Sequence, residues 1–160
     1  MMTWPHALLL VHVLSALWLS AAAFGGTVVR AAGKRAPDLA GKVGALRIAH
    51  RLASVFGLPG SILAGLTGLL LLFYGPVPWG LKPGWVHASI GLWFVLLGLN
   101  LFYNFPRLAR TLAAAEASLA AGAPSDELER LTASKAPGII ADLTALGVVI
   151  FVVLMVMKPF

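Results

Sequence analysis

The stretch LASVFGLPGSILAGLTGLLLLFY, residues Leu52 to Tyr74, contains no charged side chain. A helix rises about 1.5 Å per residue, so a run of ~20 apolar residues crosses the hydrocarbon core of a bilayer. Three more stretches qualify: Pro5 to Val29, Trp85 to Phe105 and Pro137 to Met157. The first lacks the basic leader of a signal peptide and exceeds the length of a signal's apolar core, so it reads as a retained helix. The expected fold is all-α, a four-transmembrane-helix bundle forming a single integral membrane domain over residues 1–160, with helices at 5–29, 52–74, 85–105 and 137–157.

Composition agrees with this reading. Of the 160 residues, 59% are hydrophobic and 11% charged, whereas a soluble domain carries about 25% charged residues. With no cysteine, disulfides, thiolate metal sites and iron–sulfur clusters are excluded. The net charge of +6 does not point to nucleic acid, because the basic residues cluster between apolar segments. Arg30, Lys34, Arg35, Lys42, Arg47 and Arg51 separate the first two segments, and Arg107, Arg110, Arg130 and Lys135 separate the last two. The middle loop carries only Lys82. By the positive-inside rule both basic loops are cytoplasmic and both termini outside. That pattern places a multi-pass chain in a bacterial-type inner (cytoplasmic) membrane, with the lipid bilayer as its surroundings.

The outer loop GPVPWGLKPG, Gly75 to Gly84, is too rich in proline and glycine for regular helix. Trp4, Trp79 and Trp85 fall at the outer interface, where indole rings prefer to lie. The inner loop after Phe105 differs. Its run RLARTLAAAEASLAA favours helix, so the third helix extends into the cytoplasm until Gly122 and Pro124 break it. Ser125, Asp126 and Glu127 then open a second short helix, with acids at its positive end. Together these form a cytoplasmic helical hairpin between helices 3 and 4. No internal sequence repeat stands out.

Two histidines lie inside the spans. His12 is about 10 Å in from Pro5 and His87 about 6 Å in from Pro83, by the helical rise. Helices one and three run the same way, so the two imidazoles lie at similar depth. Histidine in lipid is costly unless paired, solvated or bound to metal. Two neutral imidazoles on opposite faces are the usual axial ligands of a six-coordinate haem b. His6 is a spare candidate about 120° round the helix from His12. Gly91 and Gly98 share the His87 face, and Gly60, Ala64 and Gly68 form a stripe of small residues on helix two. Such a stripe either brings backbones close or leaves room for a flat macrocycle. Each histidine also has an ordinary reading, as a hydrogen-bonded core imidazole for His12 and as a wet interfacial one for His87.

A second polar group gathers at the inner side: Arg47, His50, Arg51, Asn100, Asn104 and Asp142. His50 is also a spare metal candidate. Asp142 is the only acid within a span, so it is either neutral or paired, with Arg47, His50 or Arg51 as natural partners. The cluster reads either as an ion pair that fixes helix packing or as an anchor for a propionate or quinone. Met155 and Met157 offer soft ligands for copper(I), or plain lipid-facing bulk.

The segment HVLSALWLSAAAFGG, His12 to Gly26, resembles the first helix of the CopD-like copper-resistance membrane proteins and of their uncharacterised four-helix relatives, small predicted integral membrane proteins. HRLASVFGLPGSILAGLTGLLLL at His50 to Leu72, GWVHASIGLW and YNFPRLARTLAAAE continue that likeness over most of the chain. A more distant similarity is to the HemJ-type protoporphyrinogen oxidase, a small helical membrane protein associated with haem b. His12 matches its first-helix histidine, Trp85-Val86-His87-Ala88-Ser89 its Trp-x-His-x-Lys pattern, and Lys158-Pro159-Phe160 its ending. Ser89 replaces the family's lysine, and Ser134-Lys135-Ala136-Pro137 replaces its Asn-Glu-x-Pro. What the resemblance implies is therefore haem binding at His12 and His87 rather than oxidase chemistry.

The resulting expectation is a b-type haem protein of electron transfer, with haem held between helices 1 and 3 by His12 and His87 beside Gly91 and Gly60. Alternatives are a porphyrinogen oxidase-like enzyme, a copper-handling protein, or an accessory subunit of a respiratory membrane complex. A protein partner or a homo-oligomer in the membrane would suit the small extramembrane mass.

Overall fold

A computed structural model describes residues 3–159. The elements, in order, are α1 (Trp4–Arg35), α2 (Leu39–Tyr74), α3 (Gly84–Ala121), α4 (Asp126–Ala133) and α5 (Ala136–Met157). Among the described residues there is no strand, and α1, α2, α3 and α5 are long and apolar enough to cross a membrane. Only 11–22% of each apolar window is buried within the protein, so most side chains of the spans are left to lipid. Phe160, the last residue of the Lys-Pro-Phe ending, lies outside the described residues.

The expected bundle is present, but the first basic loop is not a loop. α1 continues past Val29 to Arg35, and α2 begins at Leu39 rather than Leu52. Only Ala36–Asp38 join them, and the Asp38 carboxylate accepts the Gly41 N–H at 2.8 Å as an N-cap. Leu39, Val43 and Leu46 recur at helical spacing and pack against Ala114, Ala115, Leu128 and Leu131. These residues form a small core at the basic end, outside the apolar spans. The second basic loop matches expectation. α3 runs on to Ala121, Gly122 ends it in the left-handed region (φ 75°), and Ser125 caps α4 by accepting the Leu128 N–H.

A second core lies at the opposite, aromatic end, where Leu72, Trp85, Val86 and Leu154 pack with Leu69 and Ile90. Trp85 is thus a core residue, 5% exposed. Its indole meets Trp79 edge to face at 6.0 Å, and Lys158 Nζ stands 4.5 Å over the Trp79 ring.

The α1–α2 seam is built on small residues. A methyl at Gly60 would stand 2.8 Å from the Leu19 backbone nitrogen, and one at Gly33 would stand 2.9 Å from Ala45 Cβ. Of the two readings of the Gly60–Ala64–Gly68 stripe, the structure shows close backbone approach. On the other side of α2, a methyl at Gly65 would overlap the Trp93 indole of α3. α5 packs against α1 and α3, while α1 and the Gly84–Gly98 half of α3 lie across the bundle from one another.

Both long inner helices contain one widened π turn, Leu52–Gly57 in α2 and Leu99–Asn104 in α3. Each directly precedes an X-Pro step, Leu58-Pro59 and Phe105-Pro106. Proline lacks an N–H and its ring clashes with the carbonyl four residues back. In each case the residue before the proline closes the widened turn: Leu58 N–H bonds Ala53, and Phe105 N–H bonds Asn100, each five residues back. The prolines are absorbed without breaking either helix.

Candidate functional site

His12 is turned into the α1–α2 seam. Its Nδ1 lies 3.0 Å from the Ala64 carbonyl and 3.1 Å from the Thr67 hydroxyl. A carbonyl can only accept, so Nδ1 carries the proton and donates it there. In the neutral ring Nε2 then keeps its lone pair, and it makes no hydrogen bond among the described residues. Gly68 makes room for the ring, since a methyl there would stand 3.0 Å from Cε1.

His87 points elsewhere. It is exposed, and its Nδ1 lies 3.3 Å from the carbonyl of Pro83, the N-cap residue of α3. Gly91 is also exposed, and no atom of another element lies within 4 Å of the Cβ position at Gly91 or Gly98. That face is therefore turned outward, and α1 is not its neighbour. The structure does not bring the two imidazoles together, and a bis-histidine haem between helices one and three does not fit this arrangement.

The spare candidates are scattered as well. His6 pairs with the Thr3 hydroxyl at 2.6 Å. His50 stacks on Phe105 with ring centroids 5.2 Å apart. Met155 and Met157 are both exposed. Among the described residues no three His, Asp or Glu side chains gather as a metal site.

Space lies instead at the basic end. A cavity of about 900 Å³ opens between α1, α2, α3 and α5, with α4 closing its base. At membrane depth its walls are apolar, with Leu19, Ala22, Leu96, Val148 and Phe151. Trp93 forms its upper limit, fixed by an indole N–H donated to the Ser61 carbonyl at 2.9 Å. Ala53 and Gly57 of one π turn and Asn100 and Asn104 of the other line it too. Irregular helix turns of this kind often mark functional positions.

Asn100 and Asn104 form a polar ladder on this wall. Asn104 Nδ2 donates to Asn100 Oδ1 at 3.1 Å, and Asn100 Nδ2 donates to Thr144 Oγ1 on α5 at 2.9 Å. Asp142 is paired, but with none of the partners expected from sequence. Its partner is Arg30, while Arg47 binds Glu116 of α3 at 2.7 Å and the exposed Arg51 has no carboxylate partner among the described residues. The reason is the extra length of α1, which carries Arg30 alongside the first turns of α5. Lys34, Lys42, Arg107 and Lys135 complete the cationic rim, with Glu129 as its other carboxylate. These cations were visible only as topology markers. The early start of α2 could have been anticipated from Pro37-Asp38, a helix-start signal within the supposed loop.

Comparison with known proteins agrees with the architecture. No curated protein and no solved structure matches the chain. The family described as "Predicted integral membrane protein (DUF2269)" matches residues 6–159, which lends no support to the CopD-like or HemJ-type resemblance specifically. With nearly its whole length covered and four spans in place, the chain belongs to that family of predicted integral membrane proteins.

Proposed function

We propose that the protein holds an amphipathic, mostly apolar molecule in the cavity at its basic end, with that end on the cytoplasmic side of a bacterial-type inner membrane, as the loop charges direct. One observation carries this reading: a cavity of about 900 Å³ walled by all four spans. Ligand sites typically span ~300–1,000 Å³, with mostly apolar walls and a few placed polar groups. Its apolar upper wall favours a lipid-like occupant over water.

The test is solvent extraction and mass spectrometry of protein purified in mild neutral detergent. A lipid-like molecule near one per chain is expected, lost in Ala141→Phe and Ala49→Phe while both variants stay monodisperse. Nothing bound to the wild type, or the same molecule retained by both variants, overturns the reading.

A second reading, haem b serving electron transfer, is favoured by His12 alone. Its Nδ1 is held by a backbone carbonyl, the arrangement that orients an imidazole to ligate through Nε2. It requires a Soret band that His12→Ala removes and His87→Ala leaves intact. A wild-type protein without that band ends it.

A further inference from the structure

We infer that the ligand's head is anionic, a carboxylate or phosphate on an apolar chain, and that Asp142 occupies the place of that head on Arg30 when the cavity holds no such group. The inference rests on the cavity reading above and concerns which lipid it takes: an anionic lipid drawn from the cytoplasmic leaflet.

Three observations converge. The cavity is graded along its length, apolar beside Val148 and Phe151 and charged only at its basic mouth. An amphiphile with one charged end matches that gradient, whereas a wholly apolar molecule would leave the mouth unmatched. Second, the cations arrive from separate elements: Arg30 and Lys34 one turn apart on α1, Lys42 on α2, Arg107 on α3, and Lys135 just before α5. Basic loops are ordinary at a cytoplasmic interface, but their usual form is a solvated stretch, not five side chains around one opening. Third, the charges do not balance. Among the described residues Lys34, Lys42, Arg107 and Lys135 have no carboxylate within 4.0 Å, and although Arg107 Nη2 donates to the Leu131 carbonyl at 3.0 Å, its buried Nε has no hydrogen-bond partner.

The Arg30–Asp142 pair is the movable part. The Asp142 side chain is 66% exposed and that of Arg30 27%, and both line the cavity, so the carboxylate can leave the pair while the guanidinium stays on the wall. Arg30 can then take a ligand head in place of Asp142, through the planar fork that suits carboxylate and phosphate alike.

Competition of this kind has a signature that a merely structural ion pair lacks. Native mass spectrometry in neutral detergent would compare palmitate, dipalmitoyl phosphatidate and hexadecanol as added probes. The wild type should bind one or both acids in preference to the alcohol, and the preferred acid identifies the head. Arg30→Gln and Lys34→Gln should each weaken acid binding about fivefold, from ~1 kcal/mol per cation near an anionic group, with hexadecanol unchanged. Asp142→Asn should tighten acid binding by a similar factor. Lys34 is exposed, so its variant keeps the test independent of folding.

Equal binding of acid and alcohol, or weaker acid binding in Asp142→Asn, overturns the anionic-head inference while leaving the cavity reading intact. Failure of all three probes to bind overturns both.

Discussion

The two ends of the bundle use the same kinds of residue to opposite effect. From Leu19 to the aromatic end, α1 and α2 approach until Gly60 meets the Leu19 backbone, and His12 lies against Gly68. Trp93 fills the notch at Gly65, and a methyl at Gly147 of α5 would overlap Leu96 of α3. At the basic end the helices are longer and carry their own core around Val43 and Ala115, yet a cavity remains above it. Close packing in lipid comes from small residues, dispersion contacts and hydrogen bonds rather than from a hydrophobic effect between helices. Around the chamber small residues such as Gly26, Ala49 and Ala141 face the space instead of a partner helix, and a methyl at Gly26 would meet nothing within 4 Å.

The contrast can be broken most forcefully at Gly60. Gly60→Leu places its side chain against the Leu19 backbone, which cannot rotate away. We expect a loss of about 3 kcal/mol, at the upper end of overpacking effects, seen as a large fall in melting temperature in detergent or as failure to accumulate. His12→Ala comes next, because it removes the imidazole's hydrogen bond to the Ala64 carbonyl and empties the space over Gly68. A loss of about 1–2 kcal/mol is expected, whereas His87→Ala, on the exposed face, should stay within about 0.5 kcal/mol. Ser125→Ala removes the N-cap of α4 and should cost about 1 kcal/mol, read as increased hydrogen exchange in Asp126–Ala133. Smallest of all should be Ala141→Phe, whose added bulk enters the chamber. A melting temperature within error of wild type is expected, and a fall as large as that of Gly60→Leu would show that the basic end is as tightly packed as the other.

Much of the fold was readable from sequence because lipid imposes one strong constraint. Leu52–Tyr74 and Pro137–Met157 declare themselves by length and lack of charge. The part of α2 from Leu39 to Arg51 was missed because outside lipid the signal changes from uninterrupted apolarity to a stripe, Leu39, Val43 and Leu46, set among basic residues. Ending α1 at Val29 for the same reason hid Arg30 as the partner of Asp142. His12 was visible as an oddity. Its acceptor, Ala64, was not, since a backbone carbonyl carries no mark in the sequence and the rotation of α1 decides which one is met. The chamber was the least legible feature, because it consists of the spacing between unremarkable side chains.

The paired π turns carry a consequence for how α2 and α3 keep step with their neighbours. A widened turn acts as a single inserted residue, and one residue corresponds to about 100° of rotation about a helix axis. The faces presented before Leu52 and after Gly57 are thus phased separately, as are those on either side of Leu99–Asn104. Gly60, Gly65 and Gly68 meet Leu19, Trp93 and His12 only because that extra residue is counted in. Removing one residue between Leu52 and Gly57 would turn all three glycines away from their partners together, though every apolar residue of the span remained. Each long helix is therefore two surfaces joined by a phase step, and a helical wheel drawn across the step blurs both.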